Sequence, residues 1–256
     1  MKIATWNVNS LRVRLPHVLD WLSREQPDIL AVQETKTQDA DFPLTAFADN
    51  GYHALFSGQK TYNGVAVFSR NPGTERLTDP ENLDDPQRRI LAASYDRFRI
   101  INLYVPNGSE VGSEKFAYKM DWLTKISEFI RRELESHPHT IVLGDFNIAP
   151  EDADVYDPEL WRDKILCSTP ERNAFRSLLD LGLHDSFRLF GQEESSFSWW
   201  DYRAAGFRRN LGLRIDHILV SSALKPHCSA CCIDKAPRKL EKPSDHTPVL
   251  LELDLK

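Results

Sequence analysis

The residues best suited to chemistry are short polar side chains that recur beside apolar runs. Asn7 and Asn9 follow residues 2–6, and Gln33 and Glu34 close residues 28–33. Tyr104 and Asn107 flank the end of residues 99–105, and Asp145 and Asn147 follow residues 140–144. Asp216 and His217 interrupt the apolar run 215–220, and Asp245 and His246 precede the last one, 249–253. Taken singly, most have an ordinary structural explanation. Asp and Asn after strands form turns because their side chains mimic a backbone turn. Asp216 resists that explanation, since an acid within a buried strand costs several kcal/mol unless it is paired or bound to a cation. Together the residues gather at the carboxyl ends of buried strands and the loops beyond, where layered α/β proteins place ligand sites. Hard oxygen donors, few cysteines and no paired histidines suit Mg²⁺ or Mn²⁺ rather than a structural zinc. A Ser-His-Asp hydrolase is a poorer reading, because no Gly-x-Ser-x-Gly elbow occurs and Ser244 sits beside the acid Asp245.

Alternating strands and helices must position these groups. Strands are expected at 2–6, 28–33, 64–69, 99–105, 140–143, 214–220 and 249–253. Leu11, Leu15, Val18, Leu19 and Leu22 carry a helical spacing that Pro27 ends, and Trp122, Leu123, Ile126, Phe129, Ile130 and Leu134 line one face of a second helix. Ser168-Thr-Pro-Glu171 reads as a helix start, Phe175, Leu178 and Leu179 continue it, and Gly182 caps its end. No linker of Pro, Ser or Gly divides the 256 residues, so one α/β or α+β domain over 1–256 is expected. A composition of 41% hydrophobic and 27% charged residues excludes general disorder. The absence of about 18 consecutive apolar residues excludes a membrane helix, and a strand-like start leaves no signal peptide to read. Four cysteines, three of them crowded at 228, 231 and 232, make a poor disulfide framework, so packing cysteines and a reducing cytoplasm are expected. The net charge of −6 argues against a general nucleic-acid coat protein but not against a nuclease, whose clustered carboxylates hold cations.

The chain resembles the exonuclease III type of DNA-repair nuclease, in the wider endonuclease/exonuclease/phosphatase superfamily. The resemblance is carried in order by Trp6-Asn-Val-Asn-Ser-Leu-Arg12, Pro27-Asp-Ile-Leu-Ala-Val-Gln-Glu-Thr-Lys36 and Gly58-Gln-Lys-Thr-Tyr-Asn-Gly-Val-Ala66. It continues with Asn102-Leu-Tyr-Val-Pro-Asn-Gly108, Gly144-Asp-Phe-Asn-Ile-Ala-Pro150, Gly212-Leu-Arg-Ile-Asp216 and Glu241-Lys-Pro-Ser-Asp-His-Thr-Pro-Val249. It implies a four-layer α/β (α+β) sandwich, two packed mixed sheets flanked by helices, with the site at one end between them. It further implies a Mg²⁺-dependent (or Mn²⁺-dependent) phosphodiesterase acting on double-stranded DNA with 3′ ends or abasic sites. Expected activities are a 3′–5′ exonuclease and 3′-end processing, with abasic-site incision left open.

Phosphodiester hydrolysis needs a metal, an activated water and charge relief on the non-bridging oxygens. By similarity, Glu34 is the principal metal ligand, helped by Asn9 and Asp245. Asp145 would activate water, Asn147 would orient it or bind phosphate, and His246 would donate to the phosphate while Asp216 holds its imidazole. Tyr104 and Asn107 would hydrogen-bond the scissile phosphate, with Asn7 inside the network. Trp199, Leu213 and Ile215 would surround the damaged sugar. Arg203 and Arg214, beside aromatics and near Arg208 and Arg209, would grip DNA, and Lys235, Arg238, Lys239 and Lys242 add a basic run near Asp245. Trp200 is expected in the core. Two other readings compete: a phosphatase of the same superfamily acting on phosphoinositides or sphingolipids, and a non-catalytic RNA- or protein-binding regulator. The retained Glu34, Asp145, Asn147, Asp216, Asp245 and His246 oppose the latter. A monomer is expected.

Overall fold

Nineteen strands and α-helices follow one another in the computed structural model, which describes residues 1–81 and 83–254. The first half runs β1 (Lys2–Asn7), α1 (Leu11–Glu25), β2 (Ile29–Gln33), α2 (Leu44–Ala48), β3 (His53–Ser57), β4 (Val65–Ser69), β5 (Thr74–Leu77), β6 (Ile90–Tyr95) and β7 (Phe98–Tyr104). The second runs α3 (Glu114–Ser136), β8 (Thr140–Asp145), α4 (Pro158–Trp161), α5 (Thr169–Asp180), β9 (Leu183–Asp185), β10 (Trp199–Trp200), β11 (Gly212–Leu213), β12 (Asp216–Ser221), β13 (Cys228–Ile233) and β14 (Val249–Leu253). Two six-stranded sheets result, ordered β13-β14-β1-β2-β4-β3 and β5-β6-β7-β8-β12-β9. No helix among the described residues is long and apolar enough to cross a membrane.

The period of two along each strand creates the layers. Ile3, Ile29, Ala31, Val65 and Val67 of one sheet meet Ile100, Ile141, Leu143, Ile218 and Val220 of the other in the central core. Their alternates Ala4, Trp6, Leu30, Val32 and Phe68 face Val18, Trp21 and Leu22 of α1. On the far side Ile101, Leu103, Val142 and Leu219 face Trp122, Ile126 and Ile130 of α3 and Phe175 and Leu178 of α5. The order is therefore helix, sheet, sheet, helix, the expected four-layer sandwich. Each fully buried large side chain of this kind contributes about 1.5–3 kcal/mol, so the apolar stripes dominate the stability.

One polar bridge crosses the central core. Gln33 Nε2 donates to Thr5 Oγ1 (2.9 Å) and to Asn102 Oδ1 (2.7 Å). Asn102 Nδ2 in turn donates to the carbonyls of Val32 (3.0 Å) and Ala66 (2.9 Å). These directional bonds fix the β2 end against β7, where apolar contacts alone would permit sliding.

The expected helices form. Ser168 and Glu171 make a capping box with Pro170 in the first turn, and the Gly182 amide closes the end of α5 on Leu179. Strands β3, β5 and β6 carried no readable signal. β5 is a short, largely exposed edge, and β6 contains Ala92 and Ala93, which have little strand preference. The cysteine stretch forms edge strand β13, where Cys228 and Cys231 are free thiols packed on the inter-sheet core.

Candidate active site

Topology brings the chemical residues to a single edge of the paired sheets. Asn7, Glu34 and Asp145 lie at or just beyond the carboxyl ends of β1, β2 and β8. β12 runs antiparallel to β8 with Asp216 opposite Asp145, and β14 runs antiparallel to β1. Asp216, Asp245 and His246 thus reach the same edge from the amino ends of their strands, which corrects the expectation that all the residues follow carboxyl ends. A Cβ on Gly144 would stand 1.9 Å from the Leu103 carbonyl, so the tight approach of β7 and β8 ahead of Asp145 admits only glycine.

The network is built around Asn7. Its Nδ2 donates to Glu34 Oε1 and to Asp145 Oδ2, each at 2.9 Å, joining the two sheets. His246 Nδ1 donates to Asp216 Oδ2 at 2.8 Å, leaving Nε2 3.7 Å from Asp145 Oδ2. Ser198 donates to Asp216 Oδ2 (2.7 Å), and Ser244 donates to the Asn7 carbonyl (2.7 Å) while accepting from the His246 amide (3.2 Å). Asn107 Nδ2 donates to Asn147 Oδ1 (3.1 Å), and the Asn147 side chain donates to the Val105 carbonyl (2.9 Å). Glu34, Lys36, Asn9 and Asn147 all adopt positive φ, and Glu34 and Lys36 are residue types that rarely do so. Backbone bonds from Thr35 and Lys36 to Gly64 and Asn63 hold that left-handed turn.

Electrostatics separates the acids. Burial raises the Asp145 carboxyl, His246 lowers it and Asp216 raises it again, leaving it at about 7. Burial opposes charge on His246, yet Asp216 and Asp145 push it up to about 10, so its imidazole is held as the cation. At Glu34 burial works upward but is outweighed by the Lys36 ammonium and the Asn7 donor, which keep the carboxyl ionised below its usual range. Burial, then the Glu34 and Asp145 carboxylates, raise the Tyr104 phenol and keep its proton in place.

Among the described residues, two groups could be asked to hold a cation. Donor atoms of Asp145, Asp216 and His246 lie within 4.8 Å of one another. A protonated imidazole has no free lone pair for a metal, so this trio is better suited to proton handling. The second group is the line Glu34, Asn9, Asp245. There the Lys36 ammonium stands 2.8 Å from Glu34 Oε2 and donates to Asn9 Oδ1 at 2.6 Å. Asn9 Nδ2 donates to Asp245 Oδ1 (3.0 Å), and Trp199 Nε1 donates to Asp245 Oδ2 (3.0 Å). The Lys36 ammonium thus faces the oxygens of Glu34 and Asn9 but not those of Asp245, and the three side chains are oxygen donors of the kind that fits Mg²⁺ or Mn²⁺.

Some expected site residues sit elsewhere. Arg214 is 1% exposed; its Nε donates to Asp154 Oδ1 (2.6 Å) and its Nη2 lies 2.8 Å from Asp185 Oδ2. A guanidinium so committed cannot grip DNA, and Arg214 is a structural cation. Arg203 is highly exposed and pairs with Asp201 (2.6 Å), without contact to the network above. Leu213 and Ile215 are fully buried with Leu166 and Cys167 behind the half-buried Trp199, so they shape the pocket wall without offering surface. Trp200 is core, as expected. Sequence reasoning missed Lys36 as a member of the network and Ser198 as the second partner of Asp216. Lys36 stood inside the 27–36 motif, and Ser198 lies directly beside Trp199, but a lone serine carries no signal of its own.

Beneath the site, His217 Nε2–H donates to the Ile148 carbonyl (2.9 Å) and its Nδ1 accepts from Arg214 (3.1 Å), which fixes a neutral ring. Burial and the Arg214 charge depress this histidine to about 4. A depressed folded value contributes stability that is present above pH ~6.5 and is lost as pH falls through about 4. His217→Gln can keep both bonds but cannot titrate. Its stability loss between pH 7 and pH 4, measured by urea denaturation, is expected to be smaller than wild type's by up to about 3 kcal/mol. Equal losses in the two proteins would remove His217 as a source of acid lability.

Comparison with known proteins gives consistent matches over the whole chain. Residues 4–246 match the Endonuclease/Exonuclease/phosphatase family. Exodeoxyribonuclease III of Haemophilus influenzae is 37% identical over 266 residues, covering 98% of this chain and 99% of that protein. The structure of the 3′ phosphatase NExo from Neisseria bound to product DNA hairpin superposes with a TM-score of 0.98 at 50% identity, covering 100% of both chains. An AP endonuclease from Archaeoglobus fulgidus gives 0.96 at 36% identity, again over 100% of both.

Proposed function

The chain belongs to the endonuclease/exonuclease/phosphatase family and is a DNA-cleaving hydrolase of the exonuclease III type, and from that premise we propose Mg²⁺-dependent processing of DNA 3′ ends. The proposed reactions are 3′-phosphate removal and 3′–5′ exonucleolysis on double-stranded DNA, by a monomer acting as one domain over residues 1–256. The carrying observation is the continuous bonding from Glu34 through Asn7 to Asp145, facing a His246 held charged by Asp216.

When bound at Glu34, with Asn9 and Asp245, Mg²⁺ (or Mn²⁺) would supply Lewis-acid relief of charge on a phosphate oxygen. The protein's own groups would do the rest. Asp145, with a value near neutrality, takes a proton from the attacking water. The His246 imidazolium donates from Nε2 to a non-bridging oxygen as negative charge grows there. Asp216 and Ser198 keep that ring in one orientation. Tyr104 as a neutral phenol, and Asn107 and Asn147 as amides, hold the phosphate in line. Trp199, backed by Leu213 and Ile215, bounds the terminal sugar.

We place action at a 3′ terminus ahead of incision at an internal abasic site on general energetic grounds. A terminus asks little of surrounding loops, while an internal sugar must leave the duplex and be accommodated at an energetic cost. Matched duplexes bearing a 3′-phosphate, a recessed 3′ end or an internal abasic analogue, each with Mg²⁺, test the order. Faster action on the two 3′-ended duplexes is expected; internal incision with no action at 3′ ends would overturn it.

A further inference from the structure

A lysine and a glutamate lie fully buried behind the phosphate-facing loops, and none of the steps above uses them. Lys119 of α3 and Glu171 of α5 both have 0% side-chain exposure and form an ion pair. The Lys119 ammonium has three donors, and all three are spoken for. One goes to Glu171 Oε1, one to the Asn147 carbonyl (2.7 Å) and one to the Asn107 carbonyl (3.2 Å). Glu171 is equally committed. Its Oε1 accepts from the Leu166 amide (3.1 Å), and its Oε2 accepts from the Ser168 amide (3.1 Å) and hydroxyl (2.6 Å). A single pair of charges thus ties together three loops: the one after β7, the one after β8, and the one leading into α5.

Those loops carry Asn107 and Asn147, whose side chains bond each other, and Leu166, which backs Trp199. The chain takes a left-handed turn in each, at Gly108 (φ +88°), Asn147 (φ 50°) and Leu166 (φ 72°). Leu166 is a bulky residue for which that conformation is unfavourable, so something must hold it there. A Cβ on Gly108 would stand 3.0 Å from Lys119 Cδ and 2.9 Å from Ile165 Cδ1, so the first loop is seated directly on the lysine stem. Replacing a buried ion pair with apolar groups often leaves a protein as stable or more so, and its presence is therefore poorly explained by stability alone.

We propose that Lys119 and Glu171 are a positioning pair, which sets the two phosphate-binding asparagines and the pocket wall in a single frame. The proposal rests on the reading that Asn107 and Asn147 contact the phosphate. Neither Lys119 nor Glu171 touches substrate; the pair acts through the carbonyls and amides it holds.

The test compares wild type with Lys119→Met, Glu171→Gln and the double variant, which leaves no unpaired buried charge. The double variant is expected to melt cooperatively. On a duplex with a 3′-phosphate its kcat should fall about tenfold or more with KM little changed, because small displacements of positioning groups are costly in turnover. Its Leu166 and Ser168 amides should exchange hydrogen about tenfold faster. Glu171→Gln, which keeps an acceptor in place, should recover part of both losses. A folded double variant with wild-type kcat and unchanged exchange would overturn the proposal, as would a loss confined to KM. If wild type itself ignores 3′-ended duplexes, the functional reading fails, and exchange at Leu166 and Ser168 still decides whether the pair holds the loops.

Discussion

Asp145→Asn is expected to lower turnover on a 3′-phosphate duplex by about 10² or more while the protein stays folded. The asparagine matches the carboxylate in shape, but its single oxygen can accept from only one of the two donors that bond Asp145 at 2.9 Å each, the Asn147 backbone N–H on Oδ1 or the Asn7 side chain on Oδ2. It cannot take a proton from water near neutral pH. The loss should therefore appear in kcat, with substrate affinity retained or improved, since the substitution also removes a negative charge facing the phosphate. His246→Ala should cost a comparable factor for a different reason: the site loses the imidazolium donor that Asp216 holds as a cation. Single-turnover rates, with circular dichroism and melting curves for each variant, check both. Wild-type rates in folded variants would remove these residues from the chemistry.

The second large effect concerns the metal. Glu34→Gln is expected to weaken Mg²⁺ or Mn²⁺ binding by about tenfold or more, because a neutral amide is a poorer ligand for a hard cation than a carboxylate. The same change removes the partner of Lys36, now 2.8 Å from Glu34 Oε2. Mn²⁺ titration followed by calorimetry reads the affinity without relying on turnover. An unchanged dissociation constant would exclude Glu34 as the principal ligand and return attention to Asp145 and Asp216, whose donor atoms also lie close together.

Much of this site was legible because its residues break local patterns. An acid interrupting the apolar run 215–220, an Asp-x-Asn after a buried run and an Asp-His before the last strand are each odd against their surroundings. The sequence did not reveal strand direction. Asp216 and His246 arrive at the shared edge from amino ends because β12 and β14 are antiparallel to their neighbours, and only pairing across the sheet decides that. Arg214 illustrates a second limit. Its position beside aromatics suggested a DNA contact, yet its partners Asp154 and Asp185 are remote in sequence and take up its charge in the interior. Lys119 left a signal that went unread: it falls three residues before Trp122 and three after Phe116, a lysine on the apolar stripe of α3. A charge at such a position requires a buried partner, and asking for one would have pointed to Glu171.

The most direct measurement is phosphate release from a nicked duplex carrying a 3′-phosphate, followed under single-turnover conditions in Mg²⁺, then in EDTA, then with excess Mg²⁺ restored. Release in Mg²⁺, its loss in EDTA and its return on restoration are the expected sequence. Undiminished release from metal-free protein in EDTA would contradict metal-dependent 3′-end hydrolysis at the Glu34–Asp145–His246 site, as would no release in Mg²⁺ by protein that still incises an internal abasic site.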